Sequence, residues 1–165
     1  MNELMNGISP ELAPKMTKEK LVNLLIEDTM NEYKHMLFYL NSGCHIQGLA
    51  REEIGEFLSK EARDEMNHVE AFTKVIIELG GGDKIIERLN EVSISATKKE
   101  LRDVKSILQR VLAMEEEVVE RYTQRTEDAA MLGGSDGRFV EIFLEDQILD
   151  SKTTAAHVRQ MLAGL

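Results

Sequence analysis

Cysteine is almost absent from this sequence. Cys44 stands alone, so no intrachain disulfide can form, and the composition fits a reducing compartment. Proline is nearly as scarce. Pro10 and Pro14 both lie near the N-terminus, which leaves everything after them free to be helical. Tryptophan is missing altogether. No stretch reaches the roughly 18 unbroken apolar residues that a membrane span requires. Met1 to Thr17 lacks a basic region followed by an apolar run, so no signal peptide is expected, and the expected location is the cytoplasm. Positive charge is in deficit: 30 acidic residues against 20 basic ones give a formal net charge of −10. Such a surface disfavours nucleic acid and anionic membranes as partners and attracts cations, besides keeping the chain in solution.

What is present reads as helix. The 165 residues, 42% hydrophobic and 30% charged, suffice for one domain with a sizeable core. Residues 1–16, with Gly7, Pro10 and Pro14, read as an irregular arm, and residues 17–165 as the folded domain. Thr17 offers a helix N-cap, and Leu21, Leu24, Leu25, Thr29, Tyr33, Met36, Leu37 and Leu40 then recur with helical period up to a break at Gly48. A second helix is expected from about Arg51 to Leu79, closed by Gly80, Gly81 and Gly82. Residues 83–97 form a longer connection with a short amphipathic piece around Ile85, Ile86 and Leu89. Ser95 or Thr97 can cap a third helix that reaches about Leu132. Gly133 to Gly137 reads as a loop, and a fourth helix runs from about Arg138 to Leu162. Two helical hairpins joined by one long crossover make an all-α, up-down four-helix bundle of the ferritin-like arrangement. Cys44 is expected as a buried small hydrophobe, and His35 and His45 as surface or packing residues.

Polar residues on the inner faces give the bundle its chemistry. Glu65 and His68, three apart, share a helical face and can hold one ion together. Glu32 precedes Tyr39 by seven residues, and Glu115 precedes Tyr122 by the same two turns, so one element is used twice. Glu61, Glu65 and His68 are matched in spacing by Asp150, Thr154 and His157 on the fourth helix. Carboxylates from facing helices offset the charge of metal ions, imidazoles complete the shell, and without a cation such carboxylates are very costly to bury.

Glu61-Ala62-Arg63-Asp64-Glu65-Met66-Asn67-His68 resembles the second-helix motif of the bacterioferritin and Dps-like branch of the ferritin superfamily. The separation of Glu32 from Glu65 matches the bacterioferritin pattern. The run Ile77-Glu78-Leu79-Gly80-Gly81, followed by Val92-Ser93-Ile94-Ser95, is similar to the linker of Dps-like ferritins. The resemblance covers roughly residues 20–162. It implies a di-iron centre, with manganese or zinc as alternative metals. Glu32 and Glu115 would be terminal ligands, Glu65 a bridge, and His68 and His157 one cap each. Tyr39 would be a hydrogen-bonding or redox partner, against the alternative of an ordinary buried tyrosine. Met66 occupies the position of a haem ligand at a subunit interface, against the alternative of a packing methionine. The family's last helix carries Glu where this chain has Thr154, so one bridging carboxylate is missing unless Asp150 replaces it.

Three functions follow as expectations. The first is Fe(II) oxidation by O2 or peroxide for iron storage or detoxification. The second is a ferritin-like oxidase or oxygenase without storage. The third is a metal-free structural bundle. The chain stops eight residues after His157, short of the family's fifth helix, so a dimer or a twelve-subunit shell is expected rather than a twenty-four-subunit cage.

Overall fold

The computed structural model describes residues 15–165. The expected N-terminal arm, 1–16, falls almost wholly outside them. Six helices follow one another: α1 (Lys18–His45), α2 (Arg51–Glu78), α3 (Gly82–Arg88), α4 (Lys98–Arg102), α5 (Val104–Leu132) and α6 (Gly134–Ala163), with a 3-10 turn over Leu89–Glu91. No strand occurs among the described residues. α1 packs along α2 and α5 along α6, which makes the two hairpins. The crossover between them runs through α3 and the 3-10 turn to α4, a four-helix bundle as the periodicity predicts. No helix among the described residues is long and apolar enough to cross a membrane.

Local chemistry explains most helix ends. The Thr17 hydroxyl accepts from the Lys20 amide at 3.2 Å and caps α1. Thr97 and Glu100 form a reciprocal capping box at the start of α4. The third helix is not continuous, however. Asp103 leaves helical geometry, and its carboxylate accepts from the Ser106 amide at 2.8 Å, so it terminates α4 and caps α5. The expected loop over Gly133–Gly137 is also corrected: α6 already begins at Gly134. Gly133 and Gly134, at φ 69 and 65, turn the chain within two residues, in a region of backbone space that favours glycine. Gly137 is then a packing residue, because a Cβ there would lie 2.4 Å from the Ala129 carbonyl oxygen. One further expectation differs. Cys44 is exposed rather than a buried hydrophobe.

The interior has three storeys. One apolar cluster gathers Leu21, Leu25, Phe72, Ile76, Tyr122 and Leu144 toward one end. A second gathers Phe38, Tyr39, Leu58, Ile107, Leu108 and Val158 toward the other. Between them along each long helix falls a buried polar residue: Glu32 on α1, Glu65 on α2, Glu115 on α5, and Ser151 with Thr154 on α6. Apolar storeys on both sides hold this layer away from water.

Inside the first storey lies one buried ionic group. Arg125 clasps Asp28 through Nε to Oδ2 at 2.7 Å and through Nη2 to Oδ1 at 3.1 Å, and its Nη1 donates to Asp128 Oδ2 at 2.6 Å. Asp28 is fully buried. It joins the two hairpins, since Asp28 is on α1 and Arg125 on α5. Burial pushes the Asp28 carboxyl above its usual range, against the pull of Arg125.

Candidate metal centre

Glu32, Glu65 and His68 form the heart of the polar layer. Each offers one ligand atom, and these atoms lie within 4.8 Å of one another. Helical period predicts that Glu65 and His68 share a face, and the resemblance implies that Glu32 joins them. Glu65 and His68 stand one turn apart on α2, and Glu32 faces them from the paired helix α1. His68 Nδ1 is 3.3 Å from Glu65 Oε2 and 3.8 Å from Glu32 Oε2. Its other nitrogen, Nε2, donates to Asp150 Oδ2 at 3.0 Å. Asp150 therefore orients the ring from α6, with Nδ1 turned to the two glutamates. A carboxylate behind a histidine in this way fixes the tautomer of a metal-ligating imidazole and raises its basicity.

The charges compensate one another internally. Burial raises the carboxyl of Glu65 well above the ordinary range, and the neighbouring Glu32 raises it further. Burial acts on Glu32 in the same sense, but the neighbouring Glu65 and His68 outweigh it and hold Glu32 below its usual value. Burial opposes charge on His68, yet the carboxylates of Asp150, Glu32 and Glu65 around it push the imidazole up to about 12. Protons thus stand where a cation would otherwise neutralise the layer. Two carboxylates and an imidazole are a donor set suited to iron, manganese or zinc, so the residues on this side fit the metal the sequence implies.

Metal binding at this position must displace the protons on His68 Nδ1 and Glu65. Affinity is therefore expected to climb between about pH 6 and 8, by roughly ten- to hundredfold per pH unit as one or two protons leave. Calorimetric titration in buffers of different protonation enthalpy counts those protons. An affinity flat across this range would exclude His68 Nδ1 and Glu65 as the ligands.

Glu115 borders the trio from α5 and is buried. It accepts a hydrogen bond from the Tyr39 hydroxyl. Burial pushes its carboxyl up to about 7, against the opposing pull of the Tyr39 and Ser151 hydroxyls. Tyr39 is wholly buried, and burial together with Glu115 holds its hydroxyl well above the usual phenol range. Thr154 is buried on α6 and donates to Glu61 Oε2 at 3.2 Å. His157, in contrast, is exposed, its ring edge-on to Phe57 with centroids 5.3 Å apart. The structure does not bring it to the other candidates. Met66 is likewise exposed, on the outer side of α2. His35, expected as a surface or packing residue, has a buried Nδ1 without a hydrogen-bond partner.

Two buried polar residues near the centre had no sequence signal strong enough to find them. Ser151 is one serine among several on an amphipathic helix. Asp28 precedes Glu32 by one turn and so shares its inward face, a spacing that does carry a hint.

A helical bundle with a buried carboxylate–imidazole layer defines a class of metal-ligating helical proteins. This chain belongs to the ferritin-like domain family, whose pattern it matches over residues 22–164. A ferritin-like, diiron-carboxylate protein from Bacillus anthracis str. Ames is similar at 26% identity and a TM-score of 0.75, over 88% of this chain and 96% of that one. Antigen TpF1 from Treponema pallidum shares the fold at 16% identity and a TM-score of 0.75, over 93% and 98% of the two chains. The bacterioferritin-related dodecameric thioferritin from Bacteroides fragilis does so at 17% identity and a TM-score of 0.56, over 92% and 93%. No curated protein matches the sequence. Family and side-chain geometry together support an iron-binding, ferritin-like function.

Proposed function

We propose that this chain takes Fe(II) into its polar layer and oxidises it, with O2 or peroxide as electron acceptor, in iron storage or detoxification. The observation that carries this reading is the trio of buried Glu32 and Glu65 with half-buried His68, since burial of the two carboxylates is costly unless a cation or a proton neutralises them. Each Fe(II) gives up one electron, and the acceptor takes up electrons and protons and leaves as water. Glu32 and Glu65 supply anionic oxygens, and His68 supplies Nδ1 once its proton has left. Asp150 keeps the imidazole in place through Nε2. Tyr39 donates to Glu115 and stands ready as a hydrogen-bond or redox partner at the edge of the site. The net charge of −10 favours approach of cations.

The test is oxidation of Fe(II) in air, followed by ferric absorbance, for the full chain and for His68→Ala. The full chain is expected to oxidise Fe(II) faster than buffer, and the variant at the buffer rate. No acceleration by the full chain would sink the reading. Manganese and zinc suit the same donors, and competition against Fe(II) ranks them.

Storage requires a shell, and exposed apolar residues favour self-association. Phe139, Ile142 and Leu149 on α6 are exposed at helical spacing, as are Met66 and Ile77 on α2. With the dodecameric Bacteroides fragilis neighbour, this supports a homo-oligomer. Light scattering separates the roles: a small dimer would leave an oxidase or oxygenase without storage as the better reading.

A further inference from the structure

We infer that this centre holds one metal ion tightly rather than two, because α6 presents Ile148 and Ser151 where a second half-site requires a carboxylate and an imidazole. The inference rests on the metal-binding reading above and narrows it. Glu115 and Tyr122 on α5 repeat Glu32 and Tyr39 on α1. The same offset, carried onward, sets Ile148 in the place of Glu65 and Ser151 in the place of His68, six residues before Thr154 and His157, the pair expected from spacing on the helix alone. Burial agrees with this register. Ser151 lies buried in the polar layer with Glu115, just as His68 stands beside Glu32. Ile148 packs, partly buried, against the apolar cluster that borders the layer.

The three remaining candidate ligands are committed elsewhere or lie outside the layer. Asp150 holds His68 Nε2 at 3.0 Å. Glu61 accepts from Thr154 at 3.2 Å and lies 3.7 Å from Lys60 Nζ. His157 is outside the layer, on Phe57. A second ion would therefore find Glu115 and a share of Glu65, with a neutral hydroxyl in place of the imidazole. Neutral hydroxyls compete poorly with water for a divalent cation, so the second position lacks the donors that make the first one selective.

Anaerobic titration of the full chain with Co(II), and separately with Fe(II), tests this by visible absorption and by metal retained per chain after desalting. One retained equivalent is expected. The double variant Ile148→Glu/Ser151→His is expected to retain two, and Thr154→Glu only one. Two ions retained by the unaltered chain, with affinities within about tenfold of each other, would overturn the inference and leave the metal centre standing. So would a double variant that keeps its helical circular dichroism and still retains one. A second ion recruited by Thr154→Glu would overturn the register. If the double variant does not fold, the count for the unaltered chain decides alone. No retained ion at all would overturn the metal centre itself.

Discussion

Glu65→Gln is expected to weaken binding of the tightly held ion by about a hundredfold or more, since a typical site's binding energy spread over a few ligands assigns each several kcal/mol. The same substitution is expected to stabilise the metal-free chain. Burial and Glu32 keep the Glu65 carboxyl protonated in the fold well above the pH at which it ionises in the unfolded chain. A carboxyl whose folded pKa is raised costs stability progressively as pH rises from the unfolded value toward the folded one. Glutamine resembles the protonated form and removes that cost, a gain on the order of 1–3 kcal/mol near neutral pH. For a chain of this size that is roughly 2–4 °C in melting temperature per kcal/mol. Calorimetric metal titration and thermal unfolding in chelator measure the two halves. Loss of affinity with an equal loss of metal-free stability would mean that Glu65 is a structural residue. Opposite signs are what a site kept for function predicts.

The second large effect lies away from the metal layer. Arg125→Ala is expected to destabilise the fold by about 3–5 kcal/mol, because it strands Asp28 without a counter-charge in a fully buried position. The melting temperature should fall by roughly 10 °C or more. The paired substitution Asp28→Leu/Arg125→Met should recover most of that loss, since it removes the charge and its partner together and leaves apolar volume behind. Thermal unfolding of the two single variants and the pair gives the coupling directly. A single variant that unfolds like the unaltered chain would show that Asp28 is neutral, or hydrated, in the fold. Metal affinity should change little in the recovered pair, which separates this ionic clasp from the site one turn away.

Much of this could be read before any coordinates. Thr17, Gly48, Gly80 and the Gly133-Gly134 pair mark helix boundaries through cap chemistry and through backbone regions that only glycine visits cheaply. Glu65 and His68 must share a face because they are three apart in a helix. Glu32 must face inward because apolar residues flank it at helical spacing. The less legible features all involve two helices at once. Gly133 to Gly137 reads as a loop by composition, yet Gly137 is helical, and its small size serves the approach to Ala129 across the hairpin. Asp150 reads as a candidate ligand, and its distance to His68 Nε2 makes it the ring's holder.

By itself, then, the sequence determined the helices, their order, the two hairpins, and the half-site of Glu32, Glu65 and His68. Each of these rests on a period of 3.6 residues or on a local cap, and both are properties of neighbouring residues. Only the tertiary structure decided which face of α6 meets the centre: Ser151 buried in the layer, Thr154 against Glu61, Asp150 against His68, and His157 outside. The reason is geometric. Spacing along one helix fixes which residues share a face. It does not fix how far the helix is turned or slid against its partners, and a shift of three residues moves a different side chain into the same layer. That choice is made by packing between α5 and α6, through the tight turn at Gly133-Gly134 and the contact of Gly137 with Ala129.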